Sequence, residues 1–520
     1  MTSLKTSLST FSRCLRWLQG LRLFRWVFCW RTARWVMFGI LTPITIVVVY
    51  LTEERVRGQW EWEHFQHGLE AQGLPIHISQ IIPPLVRDDQ NFAMTPLFRP
   101  LYVAVPKSTR FTDQINYGYM NDFDKRLEAW SSNNDGGQYT NYESWFVAKP
   151  VDRESWRHGL GVTDVLDALR KVDPMLDEIS VASRLPFTRI PIHYELGYDA
   201  MNPCAGPIIT MSYIFELRAL VELDDGQVDR AADDAASLIR LGRALTIDDF
   251  VSYTPAAQGI QVVWEGLAAH RWSDAQLIEF QNELQKLDFL DVFRRHIYLQ
   301  TLEVTESLWP TFAQPDRLRR FLESELSIYV HSDKDKKDVK RMLARSGSTI
   351  FGFPEGWMYQ NNLLEGRFVQ EAMSAFDVPN HHVDVRKLEA NDRTMEMPLT
   401  PYTVLVKIAG LTKLEYASEN AAHAQTPVDE ANIACAIERY RLANGKLPET
   451  LDLLVPIYIA KIPNDIISGK RLIYRRTSDD NYVLYSVGWN GNDDGGKIVT
   501  KKDGSLDFEK SDWVWTYPGK

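Results

Sequence analysis

"ALVELDDGQVDRAADDAASLIRL", residues 219–241, sets the architecture of the middle of this 520-residue chain. Apolar residues recur at helical spacing on both sides of Asp224-Asp225-Gly226, a helix stop followed at once by a helix start. The run therefore reads as two antiparallel helices joined by a tight turn. "IITMSYIFELRALVEL" (208–223) extends the first and "VDRAADDAASLIRLGRAL" (228–245) the second. A second hairpin follows, with "PAAQGIQVVWEGLAAH" (255–270), a break at Arg271-Trp272-Ser273, and "DAQLIEFQNELQKL" (274–287).

The two hairpins are loosely self-similar at an offset of 46–47 residues, Leu220 falling near Leu267 and Leu238 near Leu284. Helical pairs stacked at such a period cover each other's apolar faces. The first hairpin resembles a tetratricopeptide helix-turn-helix. The alternatives for 162–400 are stacked hairpins and an irregular all-helical domain. Upstream, "VTDVLDALRKVDPMLDEI" is helical, with Pro174 expected to kink or split it. Downstream, "HSDKDKKDVKRML" reads as a charged, solvated helix face.

The charge balance is acidic, −11, but uneven. Lys5, Arg13, Arg16, Arg22, Arg25, Arg31 and Arg34 precede the first acid, Glu53, which leaves 51 basic and 69 acidic residues. So acidic a body lacks the basic face that nucleic-acid binding needs. Between the two regions, Trp35–Leu51 carries no charge over 17 residues, the short end of what spans a bilayer. Basic residues before it, Glu53 and Glu54 after it, and Trp30, Trp35 and Tyr50 at its ends predict a single pass with a cytoplasmic N-terminus. A buried core helix and a cleaved signal peptide are the rivals; the second lacks an A-x-A-like site. The expected layout is a basic interfacial segment (1–34), an anchor (35–51), a juxtamembrane helix with an extended wrap and polar loop (52–161), the helical domain (162–400), and an α+β module (401–520). The lipid bilayer and other envelope proteins are the expected partners, in the periplasm of a bacterium.

In the last module a long helix with Ile433, Ile437 and Tyr440 along one face stops at Asn444-Gly445, with Pro448 beyond. "RLIYRR", "YVLYSV" and "DWVWTY" follow as three strands. Leu472, Tyr474, Val483 and Tyr485 are the positions expected to face the helix. Through the succession "AIERYRLANGKLPETLDLL", "IPNDIISGKRLIYR", "YVLYSVGWNGNDDGG" (436–496), the C-terminal stretch of about 95 residues resembles the globular part of the type II secretion major pseudopilin. The resemblance implies a helix laid across an antiparallel sheet. It departs from the family in position: no leader adjoins the module, so assembly into a pseudopilus by the usual route is not expected. The whole layout resembles single-pass envelope proteins of bacteria. In the resembled family the Asp/Gly loop binds calcium, which here implies Asn490, Asp493, Asp494 and Asp512 as ligands; a plain Asp/Asn/Gly turn is the alternative.

Motifs for nucleotide binding, zinc proteolysis and serine hydrolysis are missing from the sequence. His381, His382 and Asp384 form one short ligand-like cluster, too few for a closed metal site. Cys204, in "NPCAG", reads as a turn residue, and whether it pairs with Cys435 is left open. Two functions follow: a non-enzymatic binding or scaffold protein of the envelope, secretion-associated through the pseudopilin resemblance, or a periplasmic hydrolase whose catalytic carboxylates lie unlocated in the helical domain.

Overall fold

A computed structural model describes residues 30–101, 162–170, 172–192, 205–245, 253–326, 330, 332–394, 397–409, 414–502 and 507–516. The basic segment up to residue 29, the polar loop and Cys204 lie outside them.

The chain is mostly helical, with one small antiparallel three-stranded sheet. Helix α1, Trp30–Ala71, is continuous over 42 residues, roughly 63 Å at 1.5 Å per residue. Its first half is long and apolar enough to cross a membrane, and none of that apolar window is buried inside the protein. A core helix of this composition would be covered. Here Trp35 is 75% and Ile46 63% exposed. Its second half is docked. Gly58 and Gly356 let α1 approach α13 (Glu355–Met373) closely: a Cβ on Gly356 would lie 2.6 Å from the Glu54 carbonyl carbon. Farther along, Gly366 sits under Phe65, and Gln360 donates to Glu61 at 3.1 Å. The order of these contacts makes the two helices parallel.

Helices α2 (Val162–Leu169) and α3 (Asp173–Ser183) are the split that Pro174 imposes, the proline taking the first turn of α3. The two hairpins form as read: α4 (Ala205–Asp225) with α5 (Val228–Ala244), and α6 (Thr254–Ala268) with α7 (Asp274–Leu284). They pack by glycine as well. Gly226 turns the first hairpin at φ 82°, and Gly242 and Gly259 admit the neighbouring helix backbone. Gly266 lies beneath Trp272, whose indole N–H donates to the Val263 carbonyl at 2.8 Å.

α8 (Phe289–Glu303) leads through a π-turn to α9 (Trp309–Thr311), α10 (Pro315–Arg320), the charged α11 (Asp333–Arg345) and α12 (Ser348–Phe351). These shelter a second, smaller core around Trp309, Phe312, Phe321, Leu343, Phe353 and Leu405. α11 is the solvated charged helix expected, burying only Val339 and Leu343. After α13 come a two-residue ladder, β1 (Phe376–Asp377) with β2 (His382–Val383), then α14 (Val385–Thr394) and α15 (Val404–Ala409).

Helix α16, Leu414–Asn444, runs through Pro427 and ends at Gly445, φ 70°. It is buried all round between Ala431 and Ile437, not along one face. One side packs against α6, α7 and α8, the other against the sheet, so a single apolar cluster runs from Leu169 to Trp515 across residue 400. The sheet orders β3 (Ile473–Arg476), β4 (Tyr482–Ser486) and β5 (Trp513–Thr516). Its pairing, Tyr474↔Leu484↔Trp515, puts those three residues on one face, and all three join the main core. Val483 and Tyr485 point the other way, onto Gly496 of the Asp/Gly loop. The expected helix-facing set mixed two faces, because it treated strands of opposite parity as aligned.

Replacing Gly356 with Leu would drive a side chain into the Glu54–Arg55 backbone. Overpacking of this kind costs about 1–3 kcal/mol. Thermal melting of the detergent-solubilised full chain should show a lower midpoint for Gly356→Leu and little change for substitution at Gly68, whose surroundings are open.

Candidate functional site

The Asp/Gly loop connects β4 to β5 and turns at Gly488, where φ is 68° and a Cβ would fall 2.1 Å from the Ser511 carbonyl oxygen. Asp512 is its centre. The carboxylate accepts backbone N–H groups from Gly496 at 2.6 Å, Lys497 at 3.1 Å and Asp494 at 3.4 Å. Asp493 accepts the Tyr485 hydroxyl at 2.9 Å and the Gly495 N–H at 3.0 Å. Asn490 turns its oxygen back onto the N–H of Asn492 at 2.7 Å, and its amide donates to Asp494 at 3.3 Å. No group of three or more His, Cys, Asp or Glu side chains among the described residues is placed to hold an ion.

A buried aspartate that sequence reading passed over fixes the base of this loop. Asp465 accepts from Ser468 and Ser486 hydroxyls at 2.7 Å each and from the Ile467 and Val487 N–H groups at 3.1 and 3.3 Å. Its signal was present in "IPND", a turn aspartate ahead of two apolar residues.

The histidine cluster does not converge. His381, in left-handed backbone at φ 56°, binds Asp429 of α16 at 2.7 Å. Burial pulls its pKa down, but the bond to Asp429 outweighs that and holds it above the ordinary value. His382 covers Gly469, and Asp384 caps α14 by accepting the Lys387 N–H at 3.2 Å. Cys435 is a buried free thiol, pushed up in pKa by burial.

Carboxylates do gather in the helical region, inside it. Arg218 of α4 makes a two-pronged pair with Asp234 of α5, 2.7 Å on each prong, and reaches Asp173 and Asp177 of α3 at 3.0 Å. Arg230 lies 3.2 Å from Glu222. Both Arg218 and Asp234 are almost wholly buried, so this network ties three helices together at the cost of desolvating its members. Glu216 is pushed up to about 8 by burial, with Glu265 nearby adding to the effect. Glu365 of α13 is likewise raised to about 8 by burial, and accepts the Trp309 indole N–H at 3.1 Å. Each is under a tenth exposed. Glu216 and Glu365 are enclosed by helices. The burial of Asp234 and Glu365 could not be read from sequence, since the partners lie 16 and 56 positions away.

No protein family, curated protein or solved structure matches the chain.

Two outcomes follow. Asp512→Ala strands three backbone donors at once and should lower stability by about 3 kcal/mol, read by denaturant unfolding. Glu365 keeps its proton in the folded chain at pH values where the unfolded chain has lost it. Its contribution is therefore complete below 4.5 and falls as pH rises to about 8. Glu365→Gln keeps the acceptor for Trp309 and removes the titration. Melting midpoints at the two ends of that window should differ less in the variant than in the parent.

Proposed function

We propose that this chain is a membrane-anchored, non-enzymatic scaffold or binding protein of the bacterial cell envelope, with its body outside the cytoplasm. The observation that carries this reading is α1. One unbroken helix passes from an uncovered apolar stretch straight into a glycine-lined seat on the body, with no linker between. Such a connection holds the body at a fixed attitude to the bilayer. That suits a platform for partners better than a tethered, freely diffusing catalyst.

The inward-buried acids favour the same reading, because carboxylates committed to helix–helix contacts are poor candidates for hydrolysis. The arrangement of the last module supports a pseudopilin-like unit: a long helix closed by Gly445, a buried loop aspartate, and a three-stranded antiparallel sheet ending in an Asp/Gly loop. Here it is built into the main core, so it serves as the closing element of the body and offers its loop face to other envelope proteins. A secretion-associated role rests on that unit alone.

The test is topological. A reporter fused after residue 520 should be active only if it matures outside the cytoplasm, and the chain should stay with membranes through carbonate extraction. Changing Arg22, Arg25, Arg31 and Arg34 to Glu should scramble the orientation, since the positive flank sets it. A cytoplasmic reporter signal from the parent, or release by carbonate, would overturn the reading.

A further inference from the structure

A second part of the body lies near the end of the apolar stretch of α1. Because α13 runs parallel to α1 and begins beside Glu54, three residues past Leu51, the chain just before Glu355 lies on the membrane side of the body. That chain is α12, whose last residues, Ile350 and Phe351, are 66% and 84% exposed. Phe351 and Gly356 are five positions apart, a reach of at most about 17 Å.

A row of rings connects this tip to the span. Phe353 meets Trp357 at 6.0 Å, Trp357 meets Tyr402 at 6.2 Å, and the Tyr402 hydroxyl bonds to that of Tyr50, within the apolar stretch. Trp357, Tyr402 and Tyr50 are amphipathic rings of the kind headgroup depth selects, with Phe353 in the core behind them. The tip is tied to the body behind it. Gly352 takes φ 86° with its Cα against the Ala313 carbonyl, and the Phe353 N–H donates to Phe312 at 2.8 Å.

Charge around the tip runs against that of the body. Residues 315–345 hold nine basic and six acidic side chains, in a body where acids prevail by 69 to 51. α12 packs on both α10 and α11. On α11, Lys337, Lys340 and Arg345 have no carboxylate partner among the described residues, and all three are exposed.

We propose that Ile350 and Phe351 enter the headgroup layer of the bilayer that α1 crosses, on the body's side, and that Lys337, Lys340 and Arg345 bind its anionic lipid headgroups. The body then has two attachments, a spanning helix and an apolar tip ringed by cations, which fix its rotation about α1. This rests on α1 being a membrane anchor, and the test separates the two.

Full-length chain carrying a photo-crosslinking benzophenone side chain at position 47, 351 or 85 is placed in nanodiscs of phosphatidylcholine, with or without phosphatidylglycerol, and lipid adducts are read by mass spectrometry. Leu85, 91% exposed, samples an apolar side chain elsewhere on the body. Adducts are expected at 47 and 351 and not at 85, with those at 351 increasing when phosphatidylglycerol is present. Lys337→Glu, Lys340→Glu and Arg345→Glu together should cut the adduct at 351 by at least about fivefold, the weight of one cation at an anionic surface, without moving the melting midpoint. Adducts at 47 without adducts at 351, or equal labelling at 85 and 351, would overturn the tip. No adduct at 47 would overturn the anchor and the tip with it.

Discussion

The rest of the structure depends on how closely α1 and α13 approach. Two helices separated by ordinary side chains lie 8–10 Å apart, and their contact can slide or tilt. Where Gly58 meets Gly356 the backbones themselves touch, and Gly366 repeats the device beneath Phe65. A seam of that kind tolerates one register. It ties the long apolar helix into the body, because α13 in turn bears Glu365 under Trp309 and Asn361, whose amide donates to the Pro401 carbonyl at 2.8 Å. The attitude of the body to the apolar half of α1 is therefore set by helix–helix geometry.

A second constraint comes from α16. A helix at the edge of a sheet needs one apolar face; α16 has to satisfy helices on one side and strands on the other. Small residues make this possible. Ala421, Ala422, Ala424, Ala431, Ala434 and Ala436 are all buried, and let neighbours crowd the axis from several directions. Its polar residues are matched individually: Gln425 receives the Phe289 N–H at 2.8 Å, Asp429 holds His381, and Arg439 reaches Asp274 at 2.7 Å. The C-terminal helix and sheet are thereby continuous with the helical body, α16 doubling as a core helix of both.

Much of this was legible in the chain, and the failures have causes. Asp224-Asp225-Gly226, Pro174 and Asn444-Gly445 marked their boundaries because turn and stop signals are local chemistry. The three strands were visible from alternation. What alternation lacks is registration between strands: Tyr485 and Leu484 are equally apolar in sequence, and only pairing with Trp515 and Val514 says which one faces α16. Nothing local in the sequence marks Asp234 and Glu216 as buried, for the same reason. Their burial depends on Arg218 and on α6, contacts between elements that no periodicity encodes.

The Asp/Gly loop shows how far local chemistry reaches and where it stops. Asn, Asp and Gly at such density announce a tight turn with backbone in the left-handed region, and Gly488, Gly491, Gly495 and Gly496 all take positive φ. Such backbone turns several N–H groups inward at once, a concavity that attracts negative charge. Asp512 enters it from sixteen residues away and satisfies Gly496 and Lys497 together. The loop is thus closed by an anion that the strand after it delivers, which is why its folding and the pairing of β5 with β4 stand or fall together.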